Sequence, residues 1–364
     1  MSLLALTACT NDDQYELSDF VGTETINVTY NGNYASVGIL PDYVTATVVG
    51  ADVVINSYTS KNLVIYVSGT TTDGSLLFYG KNDWGLVLQN ANICNLDGPA
   101  INNQCHKALF ITCPEGTVNT LSDGTSYAEA SFDQKGAIFS EGELYLQGKG
   151  TLNVTGNTKN ALASDDYITI YNGITLNLTA NGSNGMKAND GVFINGGMLN
   201  ITVNSDGGRG IRSESVMDII GGIITINTSG DCKIETIDGV RDTTSCAGIK
   251  SDSLFTMSGG TLNITSTGDG GKGIYCLQDI RLTGGTMNIT TKGSNDDGKP
   301  KAVKSATGII LSGGSFTAQC KKSWACDNGT DSENPADRVT IIGTPTTKEI
   351  EKRYVSVIFP SVVY

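Results

Sequence analysis

The chain has 364 residues, 45 of them glycine and 7 proline, and its 24 Lys and Arg against 37 Asp and Glu leave a formal net charge of −13. That charge argues against nucleic acid and anionic membrane as partners and leaves cation binding or plain solubility. No run of 18 apolar residues could span a bilayer, and one histidine with no CxxC pair is a poor basis for a zinc site.

The chain opens MSLLALTACTNDD, in which Leu6-Thr7-Ala8-Cys9 reads as a bacterial lipobox, although the basic start of an export signal is missing. Residues 1–9 are then a signal remnant, Cys9 the lipidated residue and 10–24 an acidic linker. The expected location is the outer membrane or cell surface, held by a lipid anchor with no transmembrane span. Residues 25–334 form the solenoid described below, with irregular coils to about 134 and regular repeats over 135–329. Residues 21–50 are strand-rich and cap the first coil, since an open edge would template aggregation. Segments 52–67, 76–95 and 100–121 each offer alternating strands between Gly, Asp and Asn turns.

From about Lys135 the sequence repeats itself. Residues 248–265 read GIKSDSLFTMSGGTLNIT, and the phrase returns as GMKANDGVFINGGMLNIT from 185, RGIRSESVMDIIGGIITIN from 209 and KGIYCLQDIRLTGGTMNIT from 272. Aligning the copies gives a marker column of Phe139, Ala163, Lys187, Arg212, Lys250, Tyr275 and Lys304, a unit of about 24 residues with two insertions. Each unit holds three short strands with period-2 alternation, as in Ile249 in and Lys250 out, Phe255 and Met257 in, Leu262 and Ile264 in with Asn263 out. No unit has a helical period, and a propeller blade would need four strands and roughly 40 residues. The prediction is an all-β, right-handed, single-stranded parallel β-helix, capped at both ends. Residues 335–364 leave the repeat and end on the apolar RYVSVIFPSVVY, suited to closing the last coil.

Stacking places equivalent residues about 4.8 Å apart, so outward columns become ladders. One is basic: Lys187, Arg212, Lys250 and Lys304. The turn that follows carries Glu141, Asp165, Asn189, Glu214 and Asp252, with Asp166 and Asp190 beside them. Like charges at that spacing repel by roughly 1 kcal/mol in water and about 3–4 kcal/mol at an effective dielectric of 20. Either the basic column neutralises them, or Ca²⁺ sits between turns on Asp165, Asp166, Asn189, Asp190, Glu214 and Asp252. The Asp206-Gly-Gly, Asp269-Gly-Gly and Asp296–Asp297 turns are secondary candidates. On the third strand Asn153, Asn177, Asn200, Asn263 and Asn288 should bond one another along the stack or present a flat polar face to a glycan. Sugar-stacking candidates are Tyr145, Phe193, Tyr275 and Phe139, all read as outward, with Trp84 and Trp324 in loops and Lys187, Arg212 and Lys250 supplying charge. Of the eight cysteines after Cys9, Cys276 reads as a small core residue in a serine column. Cys232–Cys246 and Cys320–Cys326 are the expected disulfides.

The segments GPAIN (98–102), EGTVNTLSDG (115–124) and GAIFSEGELYLQGKGTLNVTGN (136–157), together with the repeats, resemble the bacterial calcium-binding, pectate-lyase-like β-helix family of carbohydrate-binding domain-containing proteins, in its Bacteroides-type lipoprotein version. The resemblance implies a non-catalytic, calcium-stabilised binder of acidic or cellulosic polysaccharide at the cell surface, expected to be a monomer. Asp165, Asp166, Asp190 and Asp252 match the family best, whereas Ala163, Tyr275 and Phe139 replace its Lys. The alternatives are a structural or adhesin protein, or a polysaccharide lyase with Lys250 or Arg212 as base. Against the lyase, these cations recur with the repeat, and the lone His106 lies outside the regular coils.

Overall fold

In one representative coil the strands Ala247–Ser251, Phe255–Met257 and Thr261–Ser266 follow one another, with Ile249, Phe255, Met257, Leu262 and Ile264 buried and Lys250 and Asn263 half-exposed. Apolar side chains on alternate positions leave one face that only another coil can cover, so each strand pairs in parallel with its equivalent in the next coil. Ile211, Ile249, Ile274 and Val303 lie in one register, and Leu199, Ile224, Leu262 and Met287 in another. Each such side chain contributes about 1.5–3 kcal/mol by leaving water.

The result is an all-β, right-handed parallel solenoid. The computed structural model describes residues 23–294 and 298–360; Cys9, most of the 10–24 linker and Asp296–Asp297 lie outside them. First strands of the coils form a 12-stranded sheet, and second and third strands form a 23-stranded one. Helix among the described residues is one 3-10 turn, Pro335–Arg338. The Gly259–Gly260 corner shows why the repeat needs its glycines. Gly260 has φ +75°, and a Cβ on Gly259 would stand 2.2 Å from the Ile220 carbonyl oxygen of the preceding coil.

The ends depart from the parallel rule. Glu24–Asn31 joins the stack in parallel with Leu63–Thr71 while pairing antiparallel with Tyr34–Val37, and Val44–Val49 folds antiparallel onto Asp52–Ser57. At the other end Tyr354–Ile358 runs antiparallel along Ser315–Cys320 and buries Val355 and Val357. The 38-residue step between Arg212 and Lys250 contains an antiparallel hairpin, Lys233–Ile237 with Val240–Thr244.

Both expected disulfides are corrected: Cys232, Cys246, Cys320 and Cys326 form none, nor do Cys94, Cys105, Cys113 and Cys276. The hairpin closes its own insertion through backbone pairing. Contacts along the stack hold the cysteines instead, Cys232 N–H donating to Asp269 O at 2.8 Å and Cys320 Sγ lying 3.5 Å from Pro300 O. Cys276 is the core residue expected, its thiol pushed up to about 11 by burial. Its column neighbours Ser213, Ser251 and Ser305 each donate to a turn carbonyl at 2.7–2.8 Å.

Candidate functional site

The marker column lies on the outer face of the 12-stranded sheet, in the register Phe139, Ala163, Lys187, Arg212, Lys250, Tyr275, Lys304, Asp327. A second basic column, at the start of the same strands, is Arg209, Lys272 and Lys301, interrupted by Ala247. These three were not among the sequence candidates. Their signal was a cation three residues before the marker, in RGIR, KGIY and KAVK.

Together the columns line a trough. One depression of about 470 Å³ is lined by Lys135, Lys159, Lys187, Arg209, Arg212 and Lys250 with Asn160 and Asn184. A second of about 320 Å³ shares Arg209 and Lys250 and adds Lys272, Tyr275 and Lys304, walled by Asp242–Ser245 of the inserted hairpin. From the coil of Phe139 to that of Lys304 is six steps, roughly 29 Å at the interstrand spacing. Tyr275 forms the floor, with the ammonium groups of Lys304, Lys250 and Lys272 at 5.1, 5.6 and 5.8 Å from its ring centroid.

Charge is crowded here. Burial pushes Lys272 down to about 8, helped by Lys304 and Lys301, and its Nζ donates to Ser245 Oγ and, at 3.3 Å, to Gly298 O. Burial and then Arg212 lower both Lys250 and Arg209, while burial lowers Lys301 against the pull of Asp327. An anion laid along the trough relieves this repulsion.

The acidic ladder divides into two parts. Glu214 is 3.1 Å from Lys187 and 3.7 Å from Arg212, and Asp252 is 2.5 Å from Arg212 and 3.4 Å from Lys250. There the basic column supplies the neutralisation. Asp165, Asp166, Asn189 and Asp190 form the other part. Asn189 Nδ2 donates to Asp165 at 3.4 Å, and the buried Asn189 Oδ1 has no partner. Burial, then Asp190 and Asp165, push the Asp166 carboxyl up. Asp165 also meets Asp133 and Glu141, with ligand oxygens within 4.8 Å of one another, a grouping able to hold a metal ion. Lys135 bonds Asp133 and Asp165 there, each at 2.5 Å. In the Asp-Gly-Gly turns Asp206 accepts from Asp231 N–H and Asp269 from Ser294 N–H, at 2.9 and 2.7 Å.

Two aromatic candidates, Trp84 and Phe139, are corrected. Trp84 is fully buried, stacked on Phe78 at 4.0 Å, with Nε1 donating to Asn103 Oδ1 at 3.1 Å. It begins the strand Trp84–Asn95, because the irregular coil turns its side chain inward. Phe139 is buried under Lys135, 5.2 Å from its centroid. Trp324 lies in a loop as expected, half-buried, with Arg338 and Lys352 at 3.9 and 4.4 Å from its ring. Tyr145 and Phe193 are half-buried on the other sheet, away from the trough, in a ring ladder where Tyr145 stacks on Phe110 at 4.6 Å and 7°. The asparagine ladder forms as expected, Asn177 donating to Asn153 at 2.8 Å and Asn200 to Asn177 at 2.9 Å.

Comparison with known proteins matches the coils rather than any one site. No curated protein matches the chain. Among solved structures, the polysaccharide lyase-like protein from C. thermocellum, a gadolinium derivative, superposes with a TM-score of 0.53 at 22% identity, covering 76% of this chain and 99% of that one. That likeness is one of fold. Residues 49–236 and 205–298, more than half of the chain, match the family of carbohydrate-binding domain-containing proteins, and the chain belongs to that family.

Proposed function

We propose that this protein binds an acidic polysaccharide along the basic trough and does not cleave it. One observation carries the reading: on a chain of net charge −13, cations from seven successive coils line one face, and three of them, Lys250, Lys272 and Lys304, surround the Tyr275 ring. A polymer with carboxylates at regular spacing can pair with a ladder of regular spacing, and the tyrosine ring offers an apolar floor to a sugar face. Calcium would be held by Asp133, Glu141 and Asp165 with the free Asn189 Oδ1, after Lys135 has moved aside, and would stabilise the turn by replacing an ammonium with a divalent ion. Lipidation at Cys9 would place the solenoid on the cell surface.

Affinity electrophoresis of the full chain through gels containing polygalacturonate, alginate or neutral glucan tests this. Retardation by the polyuronates, lost in Lys250→Ala/Lys304→Ala, supports the reading, and equal mobility in all gels refutes it. One observation favours a lyase: Lys272, pushed down to about 8 among cations, is a group able to take a proton from a carbon beside a carboxylate. Its burial and its bonds to Ser245 and Gly298 argue against reach. Unsaturated oligosaccharides lost in Lys272→Ala or Lys250→Ala would overturn the binding-only reading.

A further inference from the structure

North of the trough, on the same face, lies a cavity of about 440 Å³ with a different chemistry. Its floor is Ser75, Leu77 and Asn102, where Leu77 and Asn102 continue the marker column two coils beyond Phe139. Its roof is the segment Ala128–Phe132 with Gln134. That segment is fixed in place: Ala128 N–H donates to Asp97 O at 2.7 Å, and Asn102 Nδ2 donates to Asp133 O at 3.1 Å. At its base Asp123, nearly fully buried, accepts from Tyr127 Oη at 2.8 Å and from Thr158 N–H at 3.2 Å.

The amide and hydroxyl donors of Ser75, Asn95 and Gln134 are engaged within the lining, whereas Gln134 Oε1 and the Asp97 and Glu129 carboxylates remain as acceptors. Ser75 Oγ donates to Asp52 at 2.7 Å, Asn95 Nδ2 to Pro99 O at 2.9 Å, and Gln134 Nε2 to Ala128 O at 3.3 Å. Gln134 Oε1 is buried with no partner, and among the described residues the Asp97 and Glu129 carboxylates form no ion pair. The lining holds Asp52, Asp97 and Glu129 and no Lys, Arg or His, beside apolar Leu77, Pro99 and Phe132. A ligand for this cavity must donate hydrogen bonds, carry positive charge and present an apolar face.

We propose that the cavity binds an amino sugar, its ammonium toward Asp97 and Glu129, a hydroxyl on Gln134 Oε1 and its ring against Phe132. Choosing a sugar over another amine rests on the polysaccharide reading; the cationic, donor-rich character does not. The site is distinct from the trough, which selects the opposite charge.

Isothermal titration of the full chain with glucosamine, glucose, N-acetylglucosamine, ethanolamine and calcium chloride tests it. Glucosamine should bind saturably at pH 6 and about tenfold more tightly than glucose or N-acetylglucosamine. In D97N/E129Q, two substitutions at exposed positions, that preference should vanish while the melting curve stays cooperative. Ethanolamine binding as well as glucosamine would overturn the sugar assignment, even if polyuronate is retarded in the gels. Equal affinity for glucosamine and glucose, no binding of either, displacement of glucosamine by calcium, or full affinity in D97N/E129Q would each overturn the site.

Discussion

Replacing Arg212 with methionine should reverse the sign of one carboxylate's contribution to stability. Arg212 Nη2 is 2.5 Å from Asp252, and the two side chains are 13% and 24% exposed. Burial alone would raise the Asp252 carboxyl; Arg212, then Lys250, hold it below the ordinary carboxylate value. A lowered folded pKa gives stability that is present above the unfolded value near 3.9 and lost as pH falls through the folded one. Without Arg212, burial is opposed by Lys250 alone, at 3.4 Å, and the carboxyl rises. Loss of a partly buried charge-assisted pair costs about 1–2 kcal/mol at pH 7, toward the lower end because Lys250 and Arg209 are freed from Arg212's repulsion. Urea unfolding of both proteins at pH 7 and pH 3 measures it, with other carboxylates cancelling in the difference. The penalty should be smaller at pH 3 than at pH 7. The unfolded chain takes up the Asp252 proton near 3.9 while the lowered folded pKa delays that uptake in the unaltered chain, and the penalty shrinks further as pH falls through the folded value. An equal penalty at both pH values would refute the assignment and leave only lost packing of the arginine stem.

Calcium at millimolar concentration should raise the melting temperature over that in EDTA by mass action, and Asp165→Asn should abolish the rise; identical melts in the unaltered chain remove the metal from this turn. Polyuronate affinity should drop between pH 7 and pH 9 as the Lys272 ammonium, pushed down to about 8, loses its charge, a drop absent in Lys272→Met. The same group should stabilise the fold as pH rises from 8 toward 10.5, where the unfolded chain binds the extra proton. Phe255→Ala, at a fully buried position, should cost about 3–5 kcal/mol in chemical denaturation.

Period and alternation were enough to predict the coil. Ile249, Leu262 and Asn263 take their places because strand geometry sends alternate side chains to opposite faces, and because only a stacked copy can cover an apolar one. The same logic made the asparagine ladder and the Lys187–Arg212–Lys250 column legible, since vertical neighbours follow directly from the repeat length. It failed for Trp84, placed in a loop of the irregular coils, and for Phe139, read as outward on the first regular one; both are buried. It also failed across the insertion, where Cys232 and Cys246 are near in sequence but held by the next coil's contacts and not by each other. Which acids are neutralised was a tertiary matter, because Asp252 meets Arg212, and Asp165 meets Lys135, each from the preceding coil. Only the folded chain brings Arg209 and Lys272 beside Tyr275 and lays the Ala128–Gln134 segment over Leu77. A repeat determines the distance between equivalent residues, whereas corners and insertions set the contacts between inequivalent ones.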